Sequence, residues 1–519
     1  MPNKSISSTL VFGLLTTLTA VASGCSVFDA AEDDAAGPSL PGRQNGENGA
    51  EGEAPKAPPV GGPADTSELT NELGVFVANT GSRTAAGTRE RPIDTIQAAI
   101  DLAKRVGKRV YVCGGTYEEA ITVVDSISII GGLDCTANEW RNGGPVTRIV
   151  SPTSPAMHAS DIVSPTRIEG IELVAPDATA PSQSSIGLLI GNSRGLVIAR
   201  STIIAGDAAK GEDGTEGAGI AQTVAADGKN LVDAAECPNS ICNPSWGLEV
   251  AGGANVCDGV HVAESGGAGG RGGAWRVVND VSRFNFVVYA ADTGTRPPIE
   301  RSGAAGTDGV DGAVADAPGV TLGGYAPGNG HDGTDGEPGK GGRGGGGHSP
   351  DPKIDANAPG VQGVWRGWSG ASGGAGGCAG LAGTAGKGGG ASIAALLVES
   401  LVTFDGVTLT SGHGGDAGLG TFGGAPTGGG NPGSDGNFPF LTHPAHGGRG
   451  GLSGISTNGS SGPSIAIAHV GPKPNLQGAF KLVPGTGGAA IPQRDRADLG
   501  INKTIPATPA GASADIYAW

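Results

Sequence analysis

Aliphatic and polar residues alternate in short blocks along much of this chain. Ile121 and Val123 alternate with polar neighbours, as do Ile127 and Ile129, and glycine pairs punctuate both ends of that region. Such a period of two predicts strands with one buried face. Val75 to Ala78 reads as a short strand ended by Asn79 to Ser82. One stretch departs from the pattern: Ile96, Ala99, Ile100 and Ala103 fall at i, i+3, i+4 and i+7, one face of an α-helix. Asp94 is placed to cap its start and Gly107 to stop it.

Further on, a block of apolar, acid, glycine, β-branched, any and aliphatic residues repeats. It is "IEGIEL" at Ile168, "CDGVHV" at Cys257 and "FDGVTL" at Phe404, with looser copies at Ile198 and Leu476. Apolar runs begin at Ser185, Trp246, Ser392 and Ser464. Each block reads as part of one rung of a solenoid: two strands with alternate side chains inward, joined by a glycine turn. After the blocks at Ile198, Cys257 and Phe404 the chain runs into a glycine-rich excursion.

The segment from Gly74 to Cys135 carries a more specific signal. A strand, the "TIQAAID" helix, "VYVCGGTYEEAITV" and "ISIIGG" follow one another. This order resembles the opening of a pectin lyase-like right-handed parallel β-helix. In that family the helix caps the open end of the solenoid. The resemblance implies an all-β fold: a right-handed parallel β-helix with an N-terminal capping helix and long Gly-rich loops over residues 73–519.

Composition sharpens this picture. Of 519 residues 99 are glycine, hydrophobic residues are 37% and aromatics only 4%. Such a chain can bury a thin aliphatic core, and its glycine belongs in loops, since in strands it weakens packing. "GAAGTDGVDGAV" and "GHDGTDGEPGKG" keep glycine at every third position for about four triplets each; collagen needs longer runs and more proline. Both ordered and disordered loops fit the sequence. The net charge of −17 argues against a nucleic-acid partner.

The N-terminus reads as a targeting segment. Lys4 precedes a short apolar core, Leu10 to Val21, and "ASGC" ends at Cys25. This is similar to a bacterial lipobox, with residues 1–25 a signal peptide and Cys25 lipidated. Ser26 after the cysteine implies sorting to the outer membrane of a Gram-negative cell. Residues 26–72, rich in Ala, Gly, Pro and acids, read as a disordered tether. No other stretch is long and apolar enough to span a bilayer.

The remaining cysteines are Cys113, Cys135, Cys237, Cys242, Cys257 and Cys378, an even set that favours disulfides in an exported chain. Cys113 and Cys135 lie one solenoid step apart, which predicts a bridge between adjacent rungs. The other pairings stay open.

Candidate chemistry is sparse. Gly412, His413 and Gly414 reproduce a tripeptide of pectin-cutting glycosidases. Their Asn-Thr-Asp and Arg-Ile-Lys motifs are absent, however, and the one Asp-Asp pair, Asp33 and Asp34, lies in the tether. His413 therefore reads as the onset of one more loop. Glu169, Asp258 and Asp405 recur at equivalent rung positions, where a calcium-assisted lyase would need inward acids. The plainer reading is acids at turns or on solvent-facing strand positions. Trp365 and Trp368 offer stacking surfaces for sugar rings or anchors for a glycine loop. Asp308, Asp311, Asp332, Asp335 and Glu337 are the oxygen ligands calcium would use; solvated loop acids are the alternative, and no cofactor is expected. The expectation is a non-catalytic envelope lipoprotein with a structural or adhesive role. It would hold the membrane through the lipid and contact polysaccharide or other surface proteins. The alternative is a polysaccharide-binding or lyase-like β-helix.

Overall fold

The computed structural model describes residues 68–519 except 137–138, 218–225, 232–249, 258–262, 272–273, 281–282, 289–301, 348–363, 367, 437–442 and 498–501. Among the described residues the structure is nearly all β, with stacked parallel sheets and one short helix. After the strand Gly74–Val77 and the helix Ile96–Val106, the chain visits three parallel sheets in rotation. One circuit runs through Thr166–Glu169, Ile171–Val174 and Ser185–Gly191. The next runs through Leu196–Ala199, Thr202–Ile204 and Ser392–Val398.

Strict register produces the core. In the first sheet Val110, Ile129, Ile168, Ile198, Phe404 and Leu476 lie one above another. The second stacks Tyr117, Ile149, Leu173, Ile203, Leu409 and Leu482. The third stacks Ile121, Met157, Leu188, Ala395, Ile467 and Ile516. These ladders meet in one thin aliphatic cluster. Each fully buried aliphatic side chain contributes about 1.5–3 kcal/mol. The repeat "IEGIEL" is the corner between the first two sheets. Gly170, Arg200, Gly406 and Gly478 share that corner, all in the left-handed region. Three are glycine, as that conformation favours.

The helix buries the four residues its periodicity singles out, Ile96, Ala99, Ile100 and Ala103, and ends at Gly107 with φ 67°. Its start is a correction. Asp94 does not cap it. Glu119, 22–23 residues downstream, accepts hydrogen bonds from the backbone N–H groups of Ile96 at 2.7 Å and Gln97 at 2.9 Å. An anion at a helix N-terminus satisfies orphan donors and complements the dipole, whatever its distance along the chain.

The glycine-rich excursions leave between the second and third sheets. Four connections there close with the same bond. The hydroxyl of the serine that opens the returning strand donates to a carbonyl near the point of departure. Ser185 bonds Pro176, Ser392 bonds Gly206, Ser464 bonds Gly412 and Ser513 bonds Gly485. The loops so closed span 9, 186, 52 and 28 residues. Cys257 falls within the longest excursion, and the rest of that run, 258–262, lies outside the described residues.

The described parts of the excursions are hydrogen-bonded to one another. Segment 370–391 lies in their middle. Its N–H groups at Gly370, Gly373 and Gly376 donate to Gly270, Gly267 and Glu264. Those at Gly377, Gly380, Gly386 and Gly389 donate to Gly448, Gly451, Thr457 and Ser460. Thr384, Lys387 and Gly390 donate to Thr215, Glu212 and Ala209. Segments 336–345 and 415–433 donate back to its carbonyls. A repeat of three without an internal hydrogen-bond ladder is the feature of polyproline II helices, and the lateral bonds pair backbone groups that would otherwise be left to water. Glycine is required because a Cβ at Gly376 would stand 1.9 Å from the Gly339 carbonyl oxygen. The crowding resembles that in collagen, but here many short segments of one chain pack side by side.

Candidate functional site

Of the three recurring acids, Glu169 and Asp405 are described and Asp258 lies outside the described residues. Glu169 and Asp405 both occupy the outer row of the first sheet, separated by Ala199 on the intervening strand. Glu169 departs from the expected solvent-facing acid: it is 2% exposed and ion-paired with both Arg167 and Arg200. Arg167 also reaches Asp405 at 3.9 Å. The two acids thus converge on an arginine rather than on an open groove. Breaking such a buried pair by removing one partner typically costs about 3–5 kcal/mol, because a charge is left uncompensated. Arg200 holds a left-handed φ of 41° that glycine adopts at the equivalent corners. A non-glycine residue there costs about 1–2 kcal/mol, offset by the contact with Glu169.

This network has a sequence signal that the recurrence of acids hides. Arg167 and Glu169 are two residues apart on one strand, hence on one face. Arg200 replaces the corner glycine one circuit later.

The loop acids also have defined partners. Asp308 and Asp311 accept from the N–H groups of Leu452 at 2.8 Å and Ile455 at 3.0 Å. Asp332 and Asp335 accept from Ala385 and Ala382, both at 2.6 Å. Asp207, Asp213, Asp227 and Asp416 bind neighbouring segments in the same way. These carboxylates are lateral clamps between polyproline II segments. Among the described residues no three His, Cys, Asp or Glu side chains converge as a metal would need.

The Asp213 carboxyl illustrates the balance. Burial alone would raise its pKa, but the Lys210 side chain and the Leu419 N–H outweigh it and hold the pKa below the usual carboxylate range. Asp125, which ties together the turns of two successive circuits, behaves likewise. Burial opposes ionisation, and hydrogen bonds from the N–H and hydroxyl of Ser164 and the N–H of Val163 win.

His413 stands one circuit above Asp207. Its N–H donates to the Asp207 carboxylate at 2.7 Å and its ring lies 2.6 Å from the Thr486 hydroxyl. It opens its loop as Asp207 opens the one below. Trp365 lies opposite Trp275 on a short antiparallel strand, and Trp368 is half-buried beside the central segment.

Among the described residues there are two disulfides. Cys113 and Cys135 join with Cα atoms 5.6 Å apart, under a cluster containing Phe76, Tyr111 and Trp140. Cys257 and Cys378 join across 121 residues, tying the central segment to the rest of its excursion. Cys25, Cys237 and Cys242 lie outside the described residues.

One cleft among the described residues has no counterpart in the sequence pattern. It has a volume of about 510 Å³ and lies at the end of the bundle, beside the last strand of the third sheet. Val314, Pro318, Pro463, Pro506, Tyr517 and Trp519 form its apolar walls. Tyr517 and Trp519 pack edge to face at 4.7 Å. No protein-family model, no curated protein and no solved structure matches this chain.

Proposed function

We propose that this chain is an exported lipoprotein of a Gram-negative envelope, anchored through Cys25, with a structural or adhesive role and no catalytic one. In this reading the parallel sheets form a right-handed, pectin lyase-like β-helix, and the helix Ile96–Val106 caps its N-terminal end. The glycine-rich bundle is the element presented to the surroundings, to polysaccharide or to other surface proteins. The net charge of −17 makes nucleic acid a poor partner.

The observation that carries the reading is where the carboxylates are used. Glu169 is held by two arginines, and the loop aspartates accept backbone N–H groups of neighbouring segments. A general acid, a base or a cation site needs oxygens available to substrate or metal. Here they hold the scaffold.

Two measurements test this. Mass spectrometry of the mature N-terminus should find lipid on Cys25; an unmodified Cys25 or cleavage elsewhere removes the anchor from the proposal. The purified protein should leave polygalacturonate and related acidic polysaccharides uncut. Cleavage that Glu169→Gln abolishes in a folded variant would establish the lyase-like alternative instead.

A further inference from the structure

The cleft beside Trp519 has the form of an unfilled position in the glycine-rich bundle. Its floor is the end of segment 445–463. On one side, segment 303–316 runs parallel to that floor: the N–H groups of Gly303, Gly306, Gly309 and Gly312 donate to His446, Arg449, Leu452 and Ile455. On the other side Pro506 to Gly511 follows the same floor. Asn458 Nδ2 donates to the Pro506 carbonyl at 3.0 Å, and Gly511 sits against Gly462. The space between these two flanking segments is the cleft.

The floor carries hydrogen-bonding potential in the right phase. The N–H groups of Leu452 and Ile455 are taken by Asp308 and Asp311 of the flanking segment. Three and six residues further on come Asn458 and Ser461, which both line the cleft and are 2% and 7% exposed. At the matching positions the flanking segment has Val314 and Ala317, which carry no acceptor. Among the described residues neither the Asn458 nor the Ser461 N–H has a hydrogen-bond partner. Buried backbone donors are normally paired, so two in one cleft, separated by one polyproline II turn of about 9 Å, define a periodic docking site.

The side chains of the cleft discriminate between guests. Thr457 Oγ1 donates to Ala313, Ser461 Oγ to Ala489, and Ser460 Oγ accepts from Gly328. Asn458 Oδ1 accepts from Gly420 and Arg494, and Asp316 pairs with His331. A sugar needs such groups to be available. Besides the Thr508 and Tyr517 hydroxyls, what this cleft offers is proline and aromatic wall, and backbone donors at a spacing of three. Aromatic-lined grooves with that spacing suit extended proline-containing peptides. An anionic guest is disfavoured by Asp316 and the net charge of −17.

We infer that this cleft binds a neutral, extended peptide segment rich in glycine and proline, which docks as an additional polyproline II strand. Its carbonyls would accept from Asn458 and Ser461, and its prolines would pack on Tyr517 and Trp519. The inference rests on the cleft alone and stands whether or not the protein is an adhesin.

Calorimetric titration of the full chain with the capped peptide Ac-GPAGPAGPAG-NH2 tests it. Binding with a Kd below about 1 mM is expected. Val314→Asp should weaken it at least tenfold, because the new carboxylate supplies in cis the acceptor that Asp308 and Asp311 supply elsewhere. Val314 is 73% exposed, so this variant should fold normally. Ser461→Pro should also weaken binding tenfold, since it removes one donor at a φ compatible with polyproline II. No binding at millimolar peptide would overturn the inference. So would binding that folded Val314→Asp and Ser461→Pro leave unchanged, or capture of an oligogalacturonate but not the peptide.

Discussion

The glycine lattice makes a sharp prediction about two glycine-to-alanine changes in the same bundle. A Cβ at Gly376 would lie 1.9 Å from the Gly339 carbonyl oxygen and 2.5 Å from its carbon, both backbone atoms. To restore van der Waals contact the two segments must separate by more than about 1 Å. That separation strains two lateral bonds between them, Gly339 N–H to Gly377 and Gly342 N–H to Gly374, now 2.8 and 2.9 Å. Each contributes about 1 kcal/mol net, and overpacking adds about 1–3 kcal/mol. Gly376→Ala should therefore destabilise by about 3–5 kcal/mol. A Cβ at Gly428 meets nothing within 4 Å. Gly428→Ala should be neutral, or stabilising by about 0.4–1 kcal/mol through the unfolded chain. Urea unfolding midpoints read both. Equal effects, or a Gly376→Ala variant within about 0.5 kcal/mol of the parent, would refute the crowded lattice.

Three other expectations concern the scaffold. Non-reducing peptide mapping should find Cys113 joined to Cys135, and Cys113→Ser should cost about 3 kcal/mol in the chain-entropy model; free thiols in exported protein would contradict it. His413→Ala should shift stability by less than about 0.5–1 kcal/mol and alter no carbohydrate-directed activity, as a loop-opening residue predicts. Asp125→Ala should destabilise by about 2–3 kcal/mol at pH 7. Because folding depresses the Asp125 pKa, that contribution is complete above the unfolded value of about 4 and fades as pH falls through the lower folded value. A penalty that persists undiminished at pH 2 would show that packing, not the carboxylate, is responsible.

Local pattern was a reliable guide where the structure is local. Ile96, Ala99, Ile100 and Ala103 form the buried helix face, Ile121 and Val123 line a strand, and "IEGIEL" and "FDGVTL" are corners two circuits apart, with the looser copy at Ile198 between them. Non-local partners were beyond its reach. Asp94 has a cap's position in sequence, yet Glu119 takes the role from the connection between the strands Gly115–Tyr117 and Ile121–Val123. Glu169 has the sequence position of a turn acid, recurring with Asp405, and only Arg167 on the same strand face marks it as a paired one. Of "CDGVHV" only Cys257 is described, bonded to Cys378 within an excursion, and the other five residues lie outside the described residues. The glycine triplets were visible. Their order depends on lateral bonds between segments tens to more than a hundred residues apart, and nothing in a triplet specifies its neighbour except acids such as Asp308 and Asp332 that clamp it.

The most direct test of the central claim is amide hydrogen exchange of the glycine-rich segments, resolved by peptide mass spectrometry. If the excursions form one hydrogen-bonded bundle, peptides covering 370–391 and 445–463 should be protected to the same order as the strands Ser392–Val398 and Ser464–Val470 that follow them. Exchange of those segments at the rate of an unfolded chain, with the adjoining strands still protected, would contradict the bundle outright.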